Sequence, residues 1–92
     1  MVRVALVSDT HGVLDPRIAE AVRDCDVAVH AGDIGNRAVL EALTPRRALL
    51  AVTGNNDVAA KWPAQEHALL AALPDEAGLD LPGGRLVVVH GD

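Results

Sequence analysis

The chain has 92 residues, half of them apolar and 23% charged, which is the balance of a folded domain with one core. Eight basic and thirteen acidic side chains give a formal net charge of -5, so we expect no basic surface for duplex nucleic acid. The single cysteine excludes an internal disulfide, and no apolar run reaches signal-peptide or membrane-span length. We therefore expect a cytoplasmic protein without a membrane partner.

The chain begins with a predicted strand and a predicted helix. Val2–Val7 is an apolar run ended by a polar loop at residues 8–12, which is typical of a buried strand. Asp15 and Pro16 are typical of a helix start, because aspartate caps and proline fits the first turn. The apolar stripe of this helix has helical spacing: Ile18, Ala21, Val22 and Cys25.

The same alternation continues along the chain. Asp26–His30 predicts a second short strand, followed by a glycine-bearing polar loop. Asn36 is a candidate cap for a second helix, which Pro45 ends because proline cannot continue the helical hydrogen bonding. Arg47–Thr53 predicts a third strand, again followed by a polar loop.

The last third predicts a helix and a hairpin. Pro63–Leu73 is expected to be helical, with Glu66 and His67 facing solvent. Its inward residues are Leu69, Leu70 and Leu73. Leu79–Leu81 and Leu86–Val89 flank a turn at residues 82–84 and predict a hairpin whose second strand leads to His90, Gly91 and Asp92.

A β-α-β-α-β order with short connections predicts an α/β fold with a parallel sheet and right-handed crossovers. Ligands of such sheets bind at the carboxyl ends of the strands, where all three polar loops lie. These loops and the hairpin strand present oxygen and nitrogen donors that could bind metals: Asp9, His11, Asp33, Asn55 and His90. This mixture suits Mn²⁺, Fe, Zn²⁺ or Ni²⁺ better than Ca²⁺.

Four motifs in this order resemble those of the calcineurin-like metallophosphoesterase superfamily, and closely its small bacterial and archaeal phosphodiesterase branch. Residues 8–12 (SDTHG) resemble its Asp-x-His motif, and residues 30–33 (HAGD) resemble its Gly-Asp motif. Residues 54–57 (GNND) resemble Gly-Asn-x-Asp, and His90 with Gly91 resembles the fourth motif. Each motif follows an apolar strand, and together they span nearly the whole chain.

The resemblance implies a dinuclear metal site. By it, Asp9 and His11 bind one divalent ion, Asn55 and His90 bind the second, and Asp33 bridges both. Mn²⁺ is the metal expected from the family, with Zn²⁺, Fe or Ni²⁺ as alternatives. Two divalent ions also explain how an acidic chain could bind a phosphate-ester substrate.

The implied activity is a metal-dependent phosphoesterase, most simply a phosphodiesterase, that attacks the ester with a metal-bridging hydroxide. The predicted catalytic residues are Asp33, Asn55 and Asp57. Asp57 either orients a ligand or a water or only begins a helix. Many relatives carry a histidine after Gly-Asn to protonate the leaving group, whereas this chain has Asn56 at that position. The small phosphodiesterase branch also lacks that histidine.

The family closes its site with a later Gly-His-x-His motif, which residues 1–92 do not include. We therefore expect a single domain over residues 1–92 that is the amino-terminal part of a longer protein. It would be the parallel half of a calcineurin-like α/β/β/α sandwich, ending in a hairpin strand. An exposed edge on that strand would favour self-association.

Other interpretations assign these residues simpler roles. Asp9 and Asn55 could form turns, and His90 could be a satisfied core histidine. His30 is interpreted as structural. A catalytically inactive scaffold or binding module on the same fold is the main alternative function, as the retromer subunit of the superfamily illustrates. A receiver-like domain with Asp9 at one Mg²⁺ fits the topology but leaves His11, Asn55 and His90 without a role.

Overall fold

The computed structural model describes residues 2–90, and the predicted motif residue Gly91 and its neighbour Asp92 lie outside that range. The strands are β1 (Val4–Val7), β2 (Val27–His30), β3 (Ala48–Ala51), β4 (Glu76–Leu81) and β5 (Gly84–Val89). The α-helices are α1 (Pro16–Arg23), α2 (Arg37–Ala42) and α3 (His67–Ala72). Two 3-10 turns, Ala59–Lys61 and Ala64–Glu66, precede α3.

Strands β1, β2 and β3 form a parallel sheet in that order. Val4 pairs with Val27 and Val27 pairs with Ala48, so the three strands run in step. Their carboxyl ends therefore lie side by side, as the predicted β-α-β-α-β order requires. The α/β prediction with a parallel sheet is confirmed.

The first two helices begin at the predicted caps. The Asp15 carboxylate accepts a hydrogen bond from the backbone N–H of Arg17 at 2.8 Å, and Pro16 occupies the first helical position. The Asn36 side-chain oxygen accepts from the N–H of Val39 at 3.2 Å. Each cap satisfies a backbone donor that a helix start leaves without a partner, so the local sequence fixes where these helices begin.

Strand β2 is buried along its whole length and separates two apolar layers. Ala28 packs in the cluster between the sheet and the helices, together with Val7, Val22, Ile34, Val39, Leu43 and Trp62. Val27 and Val29 point the other way, toward the hairpin, and pack with Leu50, Val52 and Val88. The period-two alternation of a strand produces this division, so the sheet is the middle layer.

The third helix differs from the prediction of one helix over Pro63–Leu73. It is split into a 3-10 turn and the six-residue α3, although Leu69, Leu70 and Leu73 do pack against the helix-side cluster as predicted. His67 was expected to face solvent, but it is half-buried and its Nε2 lies 3.1 Å from the carbonyl oxygen of Trp62. A local contact to a residue five positions earlier replaces part of the solvent around this imidazole.

The hairpin begins three residues earlier than predicted, because β4 starts at Glu76 and pairs there with Val89. Val88 is buried against the sheet, whereas Val87 and Val89 are 52% and 57% exposed. Self-association through this strand stays a prediction. Within residues 2–90, no helix combines the length and the apolar composition needed to cross a membrane.

Candidate metal centre

The loops that follow β1 and β2 are joined by backbone hydrogen bonds beyond the ends of the strands. The N–H of Asp9 donates to the carbonyl oxygen of Gly32 at 3.0 Å, and the N–H of His11 donates to that of Asp33 at 3.0 Å. The parallel pairing of the two strands thus continues into the loops. This fixes Asp9, His11 and Asp33 relative to one another through the main chain.

The same three residues have left-handed backbone conformations. Their φ angles are 56° at Asp9, 48° at His11 and 56° at Asp33, and within the described chain they are the only residues other than glycine with positive φ. This region is disfavoured for residues with a Cβ, and such residues cluster at functional sites. The backbone of these turns is therefore conformationally unfavourable, and it positions three potential ligands at one edge of the sheet.

The side chains of Asp9, His11 and Asp33 converge. One ligand atom from each lies within 4.8 Å of the others. The Nε2 atom of His11 is 3.9 Å from Oδ2 of Asp33. Asp33 is buried while Asp9 and His11 are exposed, so the cluster is open to solvent on the side of Asp9 and His11.

His90 approaches Asp33 from the end of the hairpin. Its Nε2 lies 3.6 Å from Oδ2 of Asp33, and its Nδ1 lies 2.7 Å from the carbonyl oxygen of Ala31. A carbonyl can only accept, so Nδ1 carries the hydrogen and a neutral ring leaves Nε2 with its lone pair toward Asp33. The close packing requires Gly32, because a Cβ there would lie 2.5 Å from Nδ1 of His90.

Asn56, in the loop after β3 (the third loop), binds the carboxylate of Asp33. Its backbone N–H donates to Oδ1 at 2.9 Å, and its side-chain Nδ2 donates to Oδ2 at 3.2 Å. The backbone hydrogen bond from Asn56 is the largest cause that holds the pKa of Asp33 below its usual range. Asp33 is therefore an anion that three loops and the hairpin surround.

The contact with Asp33 falls on the second asparagine of the Gly-Asn-Asn-Asp loop. Asn55, the predicted ligand, is exposed. Its role in binding metal stays a prediction. The loop lies close because of Gly54, where a Cβ would overlap the backbone nitrogen and the carboxylate of Asp33. The motif alone could not assign the contact, because it presents two neighbouring amides.

Asp57 is buried, and four N–H groups donate to its carboxylate. The donors are the backbone of Gly54 at 2.9 Å, of Ile34 and of Gly35 at 3.1 Å each, and Nε1 of Trp62 at 3.0 Å. Burial alone raises the pKa of Asp57, but these hydrogen bonds outweigh it and the pKa is lowered. Asp57 thus ties the second loop to the third, and its predicted catalytic role stays a prediction.

His30 lies beneath the site and is fully buried. Its Nδ1 accepts from the N–H of Gly32 at 3.1 Å, and its Nε2 lies 3.0 Å from the hydroxyl of Thr10. That hydroxyl donates to the carbonyl of Ile34 at 2.7 Å, so Nε2 of His30 is the donor. Burial lowers the pKa of His30, which keeps the ring neutral in this structural role.

The donor set fits divalent transition metals. The ligand atoms of Asp9, His11 and Asp33 converge, and His90, which contacts Asp33, is already oriented by a carbonyl in the manner of histidine ligands. A metal would also relieve the concentration of negative charge between Asp9 and Asp33. The described residues therefore contain a possible metal-binding group at the predicted edge of the sheet.

The sequence-family model of the calcineurin-like phosphoesterase superfamily domain matches residues 2–92. No curated protein sequence gives a significant match. A conserved uncharacterized protein from Streptococcus pneumoniae TIGR4, described as a predicted phosphoesterase, is 24% identical with a TM-score of 0.62. It is matched over 98% of this chain and 45% of its own length.

Vps29 from Chaetomium thermophilum is 18% identical with a TM-score of 0.67, matched over 94% of this chain and 44% of its own. The chain thus spans a little under half of the length of both solved structures. At these identities the two likenesses show a shared fold.

Proposed function

The chain belongs to the calcineurin-like phosphoesterase superfamily, and from that premise we propose that it is a metal-dependent phosphoesterase that hydrolyses phosphodiesters at a two-metal site. The observation that carries this proposal is the surroundings of the Asp33 carboxylate. Oδ2 of Asp33 lies 3.9 Å from Nε2 of His11 and 3.6 Å from Nε2 of His90. These two contacts support the proposal that the Asp33 carboxylate bridges two ions.

The residues divide between two proposed ions. Asp9 and His11, from the first loop, would hold one ion together with Asp33. His90 and Asn55 would hold the other, with Asp33 shared. Divalent ions bound there supply the positive charge that polarises a phosphoryl group and makes a water nucleophilic at neutral pH.

The chain's own residues prepare this site. Asn56 keeps the carboxylate of Asp33 ionised and oriented through its two hydrogen bonds. The carbonyl oxygen of Ala31 accepts from Nδ1 of His90 and so orients Nε2 as the ligand atom. Burial of Asp33 reduces the water around it, which strengthens each electrostatic contact to a bound ion. These contacts preorganise ligands rather than react with the substrate.

An acidic protein can bind a phosphate ester only if bound cations offset its negative charge. The formal net charge is -5, so phosphate binding depends on the ions rather than on a basic surface. We propose Mn²⁺ as the working metal because it is the metal expected from the family, with Zn²⁺, Fe or Ni²⁺ as alternatives. We propose a phosphodiester because the loop has Asn56 where many relatives have a leaving-group histidine, and the small phosphodiesterase branch that the chain resembles also lacks that histidine.

The test compares the full-length protein with its Asp33→Asn variant. We expect wild type to bind Mn²⁺ stoichiometrically and to hydrolyse an aryl phosphodiester, and Asp33→Asn to lose metal and about 100-fold or more of kcat/KM. Asp24→Asn is the matched control, since this exposed aspartate pairs only loosely with Arg46 at 3.9 Å. If Asp33→Asn keeps its metal and its activity, the proposal is wrong.

A wild-type protein that binds no Mn²⁺ and hydrolyses no ester would instead indicate the non-catalytic scaffold. Metal content by elemental mass spectrometry and hydrolysis by absorbance separate the two functions in one preparation.

A further inference from the structure

A small cavity opens beside the buried carboxylate of Asp33. Its volume is about 300 Å³, enough for a phosphoryl group. The lining residues are His11, Asp33, Gly35, Asn56, Asp57 and Lys61. The cavity thus joins the candidate metal ligands to a lysine that lies outside the four motifs.

Lys61 is the single lysine of the 92 residues. It ends the 3-10 turn Ala59–Lys61, whose last N–H donates to the carbonyl of Val58 at 2.9 Å. Its Nζ donates to Oδ1 of Asn56 at 2.6 Å, and Nδ2 of the same amide donates to Oδ2 of Asp33 at 3.2 Å. One amide therefore separates the ammonium group from the central carboxylate.

The partner of Lys61 is neutral, unlike the partners of several arginines. Arg17, Arg37 and Arg85 bind carboxylates of Asp15, Glu41 and Asp80 at 2.9, 3.0 and 2.8 Å. An ammonium group has three donors, and the bond to Asn56 uses one of them. Lys61 therefore brings positive charge and two further donors to the rim of a cavity that is also lined by the carboxylates of Asp33 and Asp57.

We propose that Lys61 is a substrate-contacting residue, whose ammonium group donates to a phosphoryl oxygen that the metals do not hold. This inference rests on the proposed function. The lysine transfers no proton in this role, so its contribution is charge and orientation. It favours anionic phosphate esters and would bind inorganic phosphate in the same way.

The experiment measures binding of inorganic phosphate to the Mn²⁺-loaded full-length protein by titration calorimetry. Lys61→Met removes the charge and keeps an unbranched side chain, and we expect it to weaken phosphate binding about 10-fold or more. Lys61→Arg keeps the charge and should bind within about 3-fold of wild type. Arg85→Met is the control for net charge, because Arg85 lies on the hairpin outside the cavity lining.

A second readout separates contact with substrate from support of the loop. Mn²⁺ content and unfolding midpoint of Lys61→Met should match those of wild type, while KM for an aryl phosphodiester rises about 10-fold. Loss of Mn²⁺ from Lys61→Met would overturn the inference, because Lys61 would then act through Asn56 on the metal ligands.

Failure of the inference is distinct from failure of the proposed function. If wild type hydrolyses the ester and Lys61→Met binds phosphate as tightly as wild type, the inference fails and the function stands. If wild type binds phosphate but hydrolyses nothing, the function fails and the comparison of phosphate affinities still decides the role of Lys61. If wild type binds neither metal nor phosphate, both are wrong.

Discussion

Nδ1 of His90 lies 2.7 Å from the carbonyl oxygen of Ala31, two residues that are 59 positions apart in the chain. This hydrogen bond connects the end of the hairpin to the loop after β2. It also fixes which nitrogen of the neutral ring carries the hydrogen, so Nε2 is left for a metal. This long-range contact thus adds to the packing between the two sheets and also orients a ligand.

The contact predicts that Gly32→Ala disturbs the metal site more than the fold. A Cβ at residue 32 would lie 2.5 Å from Nδ1 of His90, and Gly32 has a φ of 112°. We expect the ring to move and Mn²⁺ affinity to fall about 10- to 100-fold, with about 1–3 kcal/mol of destabilisation. Titration with Mn²⁺ measures the first effect and urea unfolding the second.

Gly83→Ala is the matched control, because nothing lies within 4 Å of the added methyl group. It should leave Mn²⁺ affinity unchanged. Equal affinities for Gly32→Ala and wild type would mean that His90 is no ligand.

The neighbouring amides Asn55 and Asn56 are predicted to have separable roles. Asn55→Ala should remove a ligand of the second proposed ion, so kcat/KM falls about 100-fold while stability changes by less than about 0.5 kcal/mol. Asn56→Ala removes the side-chain hydrogen bond to Asp33, and should destabilise the protein by about 1–2 kcal/mol.

Metal content, hydrolysis and urea unfolding of both variants distinguish these roles. A larger loss of metal from Asn56→Ala than from Asn55→Ala would transfer the ligand role to Asn56.

The elements set by local chemistry were predictable from the sequence. Asp15 and Asn36 cap helices where expected, and the apolar runs before the loops form the parallel sheet. The convergence of Asp9, His11 and Asp33 follows from that sheet, because parallel strands end at one edge. These features depend on residues near one another in the chain or on a topological rule.

The remaining features depend on specific side-chain contacts that a pattern of apolar and polar residues does not contain. His67 has helical spacing for the polar face, yet it contacts the carbonyl of Trp62. Lys61 lies outside every motif and enters the site only because the 3-10 turn brings it to Asn56. Likewise, two of the four donors to Asp57, Ile34 and Gly35, come from the loop after β2, which its sequence neighbours could not reveal.

Asp57 is predicted to be essential for stability. In Asp57→Asn the side chain keeps one acceptor and presents an NH₂ group to N–H donors, so buried donors lose their partner. We expect a loss of about 2–4 kcal/mol in the free energy of unfolding, measured in urea. Asp24→Asn, at an exposed position, should change it by less than about 0.5 kcal/mol. A loss that small in Asp57→Asn would show that the four hydrogen bonds contribute little.

The same carboxylate predicts how stability depends on pH. Because the hydrogen bonds lower the pKa of Asp57 in the folded state despite its burial, its contribution is complete above the unfolded aspartate value of about 3.9. That contribution is lost as the pH falls through the lower folded pKa, when the carboxyl group takes up a proton.

Trp62, the single tryptophan, donates to Asp57 at 3.0 Å, so its fluorescence reports directly on this loop. In metal-free buffer we expect urea midpoints of wild type and Asp57→Asn to differ widely at pH 6 and to converge below about pH 4. Midpoints that stay equally far apart from pH 6 to pH 3 would mean that ionisation of Asp57 does not stabilise the fold.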